Sequence, residues 1–303
     1  MKKVLFATTA LVASAGIAAA DVTLSGFAEM GFAGGDAIET QFHSDFDVKF
    51  SLSGETDNGL SFGATIDLDE VSGGITAGGP TGGAADTTGT NSKTPHSVWI
   101  SGGWGKLTMG DTDGGFDWAM KEAIIGSSIN DAHEHAGYNG NSGLDGNYGG
   151  QILRYDNSFG AFGVAASVAT DDTGAGDATL GLGVKYSTDL GGASVGFGLG
   201  YQTDDIDSIV GVSVDVTTDS GISAIVNFSD LDSKGEHTGV AIGYSMDALK
   251  IGVNWGQTEV AGVTTDGIGL AVNYKLSDDV TVQLGYGSDD TEDSWSLGLA
   301  MKF

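Results

Sequence analysis

From residue 22 onward the chain alternates apolar and polar residues in segment after segment. In residues 41–53, Phe42, Phe46, Val48, Phe50 and Leu52 fall on one side of a period of two; Gln41, His43, Asp45, Asp47, Lys49, Ser51 and Ser53 fall on the other. Successive side chains of a strand point to opposite faces, so this segment is a strand with one greasy face and one charged face. The charged face is too polar to be a protein core. The pattern recurs over residues 22–32, 41–53, 60–68, 97–102, 106–110, 150–155, 161–169, 178–187, 193–202, 208–217, 221–229, 237–246, 249–257, 267–276, 280–287 and 294–303, sixteen segments in all.

Length supports that count. Spread over residues 21–303, sixteen strands leave about 18 residues for each strand and its connection, and a membrane strand takes about 9–11. The connections also alternate. Short ones rich in Gly, Asp, Asn and Ser link strands 2–3, 4–5, 6–7, 8–9, 10–11, 12–13 and 14–15, so all lie at one end. The opposite set holds the two longest, residues 72–94 and 111–149.

Antiparallel strands with one apolar and one polar face have two homes. In a soluble sandwich the apolar face turns inward; in a lipid-spanning barrel it turns outward and the polar face lines water. Lipid also requires closure, because an open edge would leave backbone groups unpaired. Three features favour lipid. Tyr155, Tyr186, Tyr201, Tyr244, Trp255, Tyr274, Tyr286 and Trp295 lie near strand ends on the apolar face, as in interfacial girdles. The polar face carries charge at mid-strand, at Asp47, Lys49 and Asp215. Sixteen strands of one alternating type exceed an ordinary sandwich. The expected fold is therefore all-β: a transmembrane antiparallel β-barrel of about sixteen strands.

Residues 1–20 read as an export signal: Lys2 and Lys3, a short apolar core, then Ala18-Ala-Ala20 before Asp21. There are no cysteines, so no disulfide holds the exported chain. Two prolines suit long uninterrupted strands, and 52 glycines suit turns and a wall lined by small residues. Forty-one acidic residues against 12 basic ones give a net charge of −29, which argues against nucleic acid as a partner and favours cations.

The final segment, Trp295-Ser-Leu-Gly-Leu-Ala-Met-Lys-Phe303, ends on an aromatic residue in phase with its apolar face. It resembles the C-terminal signature of bacterial outer-membrane barrels, which end on Phe. Together with the first-strand segment Asp21-Val-Thr-Leu-Ser-Gly-Phe-Ala-Glu-Met-Gly31, the chain resembles the general bacterial porins, above all the trimeric sixteen-stranded type of alphaproteobacteria, including the Rhodobacter group. That resemblance implies a homotrimer in the Gram-negative outer membrane, with short periplasmic turns, long external loops, and lipid and lipopolysaccharide around it. It implies a water-filled channel for passive diffusion of small hydrophilic solutes and ions, with no cofactor required.

In such porins the third long loop folds into the barrel and sets carboxylates against basic wall residues. By parity this loop is residues 111–149, and its carboxylate candidates are Asp111, Asp113, Asp117, Glu122, Asp131 and Glu134. A helix over residues 119–125 is expected, with Asp117 as N-cap and with Phe116, Trp118, Ile124 and Ile125 anchoring the loop to the wall. Lys49 and Arg154 face inward by alternation, with His43 a third wall candidate. Many porins carry several arginines there, whereas this chain has only Arg154; Lys106, Lys185, Lys250, Lys275 and Lys302 also face inward, but near the short-turn ends. The expectation is a cation-preferring pore.

Calcium is the cation that the oxygen-rich Asp111/Asp113 pair would suit. His133-Glu-His135 lacks a third ligand at a supportive spacing for a transition metal. No nucleophile motif flanks the histidines, so an enzyme is not expected. Among other channels, a sugar slide would need inward aromatics and phosphate selectivity a basic ring. A substrate-specific channel or a secreted β-rich adhesin are the alternatives to a diffusion porin.

Overall fold

A computed structural model describes residues 21–68, 96–129, 152–170, 177–232 and 235–303. The expected signal 1–20, the loop 72–94 and the loop portion 130–149 lie outside these residues. The strands are β1 (Asp21–Gly35), β2 (Gln41–Glu55), β3 (Ser61–Asp67), β4 (His96–Gly102), β5 (Gly105–Gly110), β6 (Ile152–Phe159), β7 (Phe162–Ala169) and β8 (Thr179–Asp189). They continue as β9 (Ala193–Thr203), β10 (Ser208–Thr218), β11 (Ile222–Leu231), β12 (Gly235–Met246), β13 (Leu249–Val260), β14 (Val263–Lys275), β15 (Val280–Asp289) and β16 (Asp293–Lys302). Each pairs antiparallel with its sequence neighbours, and β1 pairs β16, so the barrel is closed. Reciprocal backbone bonds complete the seam: Phe303 N–H to the Gly26 carbonyl at 2.8 Å, and Gly26 N–H to the Phe303 carbonyl at 3.1 Å.

The apolar face points outward. On β8 and β9, Leu182, Val184, Phe197, Leu199 and Tyr201 are 42–57% exposed, while inward-facing Gln202 on β9 is 1% exposed and inward-facing Ser213 on β10 is 2%. This inverts a soluble protein and matches a wall whose outside meets lipid.

Two strand boundaries differ from the alternation. Asn157, Ser158 and Phe159 belong to the expected turn 157–160, yet they pair with Val164, Gly163 and Phe162, so β6 runs to Phe159 and the turn tightens to residues 160–161. β13 and β14 extend beyond the expected segments as a hairpin in which Thr258, Glu259 and Val260 face Thr265, Thr264 and Val263. The two-residue turn is Ala261 (φ 52°) and Gly262 (φ 79°), the left-handed pair whose twist matches the flanking strands. Loop length therefore stops alternating in the second half of the barrel, where both ends carry tight turns.

Candidate functional site

After β5 the chain turns into the barrel. Residues 111–129 run around the inside of the wall from β6 to β16 and β1. Wall side chains hold the loop backbone along the way. Gly115 N–H donates to Ser167 Oγ on β7 at 2.7 Å, and Lys121 N–H to Ser213 Oγ on β10 at 2.9 Å. Asn227 Nδ2 on β11 donates to the Lys121 carbonyl at 3.1 Å. At the far end Asn273 on β14 makes two bonds to one residue: Ser127 N–H donates to its Oδ1 at 3.0 Å, and its Nδ2 donates to the Ser127 carbonyl at 2.5 Å. Gln283 Nε2 on β15 donates to Ser127 Oγ at 2.8 Å.

Glycines make room for this close approach. A Cβ at Gly183, Gly198 or Gly252 would overlap the carbonyl oxygen of Gly115, Ala119 or Ile125 respectively. Side chains of the loop fill the remaining space. Fully buried Phe116 lies over Gly200 and Gly211 and packs with Ile209 and Leu231. Ile125 packs with Ala123, Ile225 and Ala241, with Ile124 against that cluster. Ile129 is fully buried against Gly31 and Gly298. Of the expected anchors, Phe116 and Ile125 are buried; Ala123 and Ile129 were not anticipated.

The expected helix over residues 119–125 is displaced. The helix present, α1, is Gly115–Ala119, with Gly114 as N-cap and no side-chain cap; Asp117 sits in its first turn. Met120 is already extended (φ −80°, ψ 153°). The physical reason is competition for hydrogen bonds. The Lys121 N–H and carbonyl are taken by Ser213 and Asn227 of the wall, so they are not available to continue the helix.

The charged candidates are placed as follows. Arg154, 8% exposed, donates through Nη1 to the Asp113 carbonyl at 2.7 Å and through Nε to Asp156 Oδ1 at 3.1 Å; the Asp113 carboxylate lies 3.9 Å away. It therefore ties down the foot of the loop. Lys49 Nζ meets Asp67 at 2.8 Å on the neighbouring strand, and His43 Nε2 lies 3.6 Å from Glu29. Asp111 uses its N–H to reach the His96 carbonyl at 2.9 Å. Asp131 and Glu134 lie outside the described residues. Lys185, expected away from the constriction, stands beside it: its Nζ is 3.6 Å from the centre of the Trp118 ring and donates to the Trp118 carbonyl at 3.2 Å. Among the described residues no group of three or more His, Asp or Glu side chains is arranged to hold a metal ion. Glu29, Asp67 and Asp156 went unnamed as partners because alternation assigns a face, while only the cross-strand register assigns a neighbour.

Glu122 faces the lumen from the loop. Desolvation by the surrounding protein raises its pKa above the ordinary carboxylate value; the Asp113 charge raises it further, and Lys121 opposes both. As pH falls, Glu122 is expected to lose its charge before ordinary carboxylates do, so its contribution to the reversal potential is lost early in an acid titration. Because the folded form holds this proton more tightly than the unfolded chain, the same group favours the fold as pH falls through its raised pKa. A Glu122→Gln channel should lack the early step; if its titration overlays the parent's, the assignment is wrong.

Comparison with known proteins agrees with this geometry. A porin of Rhodobacter capsulatus is 30% identical over 163 residues, which are 51% of this chain and 46% of that protein, so the match spans about half of the relative's length. A porin structure refined at 1.8 Å superposes with a TM-score of 0.71 at 20% identity, covering 93% of this chain and all of the other. A mutant of Rh. blastica porin gives 0.70 at 18% identity, with the same coverage. At such identities the superpositions speak for the fold alone. The profile of the Gram-negative porin family matches residues 7–294, nearly the whole sequence, and on that match the chain belongs to the Gram-negative porins.

Proposed function

We propose that this chain forms a water-filled outer-membrane channel that passes small hydrophilic solutes by diffusion and prefers cations. The observation that carries the preference is the pairing of the basic wall candidates. Lys49 is matched by Asp67, and Arg154 by Asp156 and Asp113, so neither presents a bare positive charge to the lumen. Asp45 and Asp47 on β2 share the inward face with Lys49, and Glu122 faces the lumen from the loop. A low-dielectric passage with an excess of negative charge concentrates cations. The test is the reversal potential of the refolded barrel in a planar bilayer under a salt gradient. A cation-directed potential is expected, and the triple variant Asp45→Asn, Asp47→Asn, Glu122→Gln should move it toward zero. An anion-directed potential in the parent would overturn the proposal.

Homotrimeric assembly among outer-membrane lipid and lipopolysaccharide belongs to the same reading, supported by family membership; a single-protomer mass in mild detergent would count against it. So does export with loss of residues 1–20, checked by sequencing the N-terminus of protein from the membrane. Calcium at Asp111 and Asp113 rests on oxygen-ligand chemistry alone, and no step of permeation is routed through it. Unchanged thermal unfolding in chelator would remove it.

A further inference from the structure

Register explains why some basic wall residues are neutralised. Lys49 has Asp67 directly across the ladder, and Arg154 has Asp156 two residues along its own strand. Lys185 on β8 is placed differently. Its cross-strand partners are Gly163 on β7 and Gly198 on β9. Its inward neighbours along β8 are Gly183 and Ser187. None of these four can carry a counter-charge.

The inner loop holds the ammonium instead. Trp118 lies across Gly163, where a Cβ would come within 2.9 Å of the indole. Lys185 Nζ sits 3.6 Å from the ring centre and donates to the Trp118 carbonyl at 3.2 Å. An indole face and a carbonyl attract a cation without cancelling its net charge. Lys185 stays exposed to the lumen while so held. Asp113 and Asp156 are close enough to act on it, as are Arg154 and Lys121. Both of those carboxylates, however, are engaged by Arg154, and among the described residues Lys185 is in no ion pair.

We propose that Lys185 is a specificity-determining residue of the pore: an unneutralised positive charge beside the constriction, fixed there by Trp118, which limits how strongly the channel prefers cations. The arrangement departs from the one expected by resemblance, in which basic wall residues are set against loop carboxylates. Here the effective wall cation is tied to the loop that also carries Glu122. An ion passing the loop meets both signs, and the lysine subtracts from what the carboxylates supply. The assignment rests on the proposed channel for the route of the ions and not for the sign of the preference.

The test compares Lys185→Gln, Lys185→Arg and the parent by reversal potential in planar bilayers, with potassium chloride at two ionic strengths. A unit charge about 10 Å from a passing ion, in water, changes the local concentration of each sign about twofold, so Lys185→Gln should raise the cation-to-anion permeability ratio about fourfold. That rise is expected near 10 mM salt, where the screening length is about 30 Å, and should be mostly lost near 1 M, where it is about 3 Å. Lys185→Arg keeps the charge and should keep the parental ratio at both. A side chain that only tethers the loop would change conductance and its noise at both salts alike, with no screening of the effect. An unchanged ratio for Lys185→Gln in dilute salt overturns the assignment, and so does a change that persists undiminished at 1 M. An anion-directed parent in which Lys185→Gln still shifts toward cations leaves the assignment standing and removes the cation-preferring reading instead.

Discussion

Gly252→Val is expected to release the inner loop and turn a steady channel into a noisy, narrower one. The added side chain would overlap the Ile125 carbonyl, a backbone atom in the middle of the loop. Backbone cannot rotate away as a side-chain tip can. The wall cannot yield either, because β13 is hydrogen-bonded to β12 and β14 along its length. The loop must therefore lift toward the axis, which separates Ile125 from Ala123, Ile225 and Ala241. Overpacking of this kind costs about 1–3 kcal/mol. That is small against a sixteen-strand ladder, so the barrel should still fold. Single-channel recording should show lower mean conductance with rapid fluctuation. Gly103→Ala is the control, since a Cβ there meets nothing within 4 Å. A quiet Gly252→Val channel of parental conductance would mean that the loop is not seated on β13.

The second large effect concerns the outside of the wall. Val184 lies mid-way along β8 on the outward face, between Val164 and Leu199 of the flanking strands. In lipid, Val184→Arg places a guanidinium near the bilayer midplane at a cost of about 2–4 kcal/mol. Leu180→Arg, on the same face but at the strand end, should cost about 0–1 kcal/mol, because its charge reaches the interface. Urea titration of folding into lipid vesicles measures both. The gradient between the two positions is the informative quantity. A soluble core would penalise a buried arginine without regard to distance from a membrane plane, so equal costs would count against the lipid-facing wall.

The fold was largely legible in the alternation, and the reason is geometric. A strand has a side-chain period of two, so a run such as Val195, Phe197, Leu199 and Tyr201 against Ser194, Gly196, Gly198 and Gly200 names its faces without any tertiary information. Charge at Asp47 and Lys49 on the other face then decides which side meets water. Errors fell where local chemistry and pairing disagree. Asn157 and Ser158 favour turns but stay in β6 because β7 supplies partners for them. Thr258 to Val260 and Val263 to Thr265 carry no strong alternation, yet they extend the hairpin through a turn that Gly262 permits.

The site was legible only in outline. Its apolar residues, Phe116 and Ile125 among them, marked the loop as one that packs against something, and parity placed it third among the long loops. What it packs against is spread over the chain: Ser167, Ser213, Asn227, Asn273 and Gln283 come from five strands, and each contacts the loop across at least 52 residues of sequence. Nothing local in Gly183 or Gly252 distinguishes a glycine under the loop from one in an open wall. The helix position, the neutralising partners of Lys49 and Arg154, and the place of Lys185 beside Trp118 followed the same rule. By itself the sequence determined strand number, facing and closure, because these follow from a period and from the need to satisfy backbone groups in lipid. The course of the loop and the pairing of charges were decided by tertiary structure alone, because they depend on cross-strand register and on distances between residues far apart in the chain.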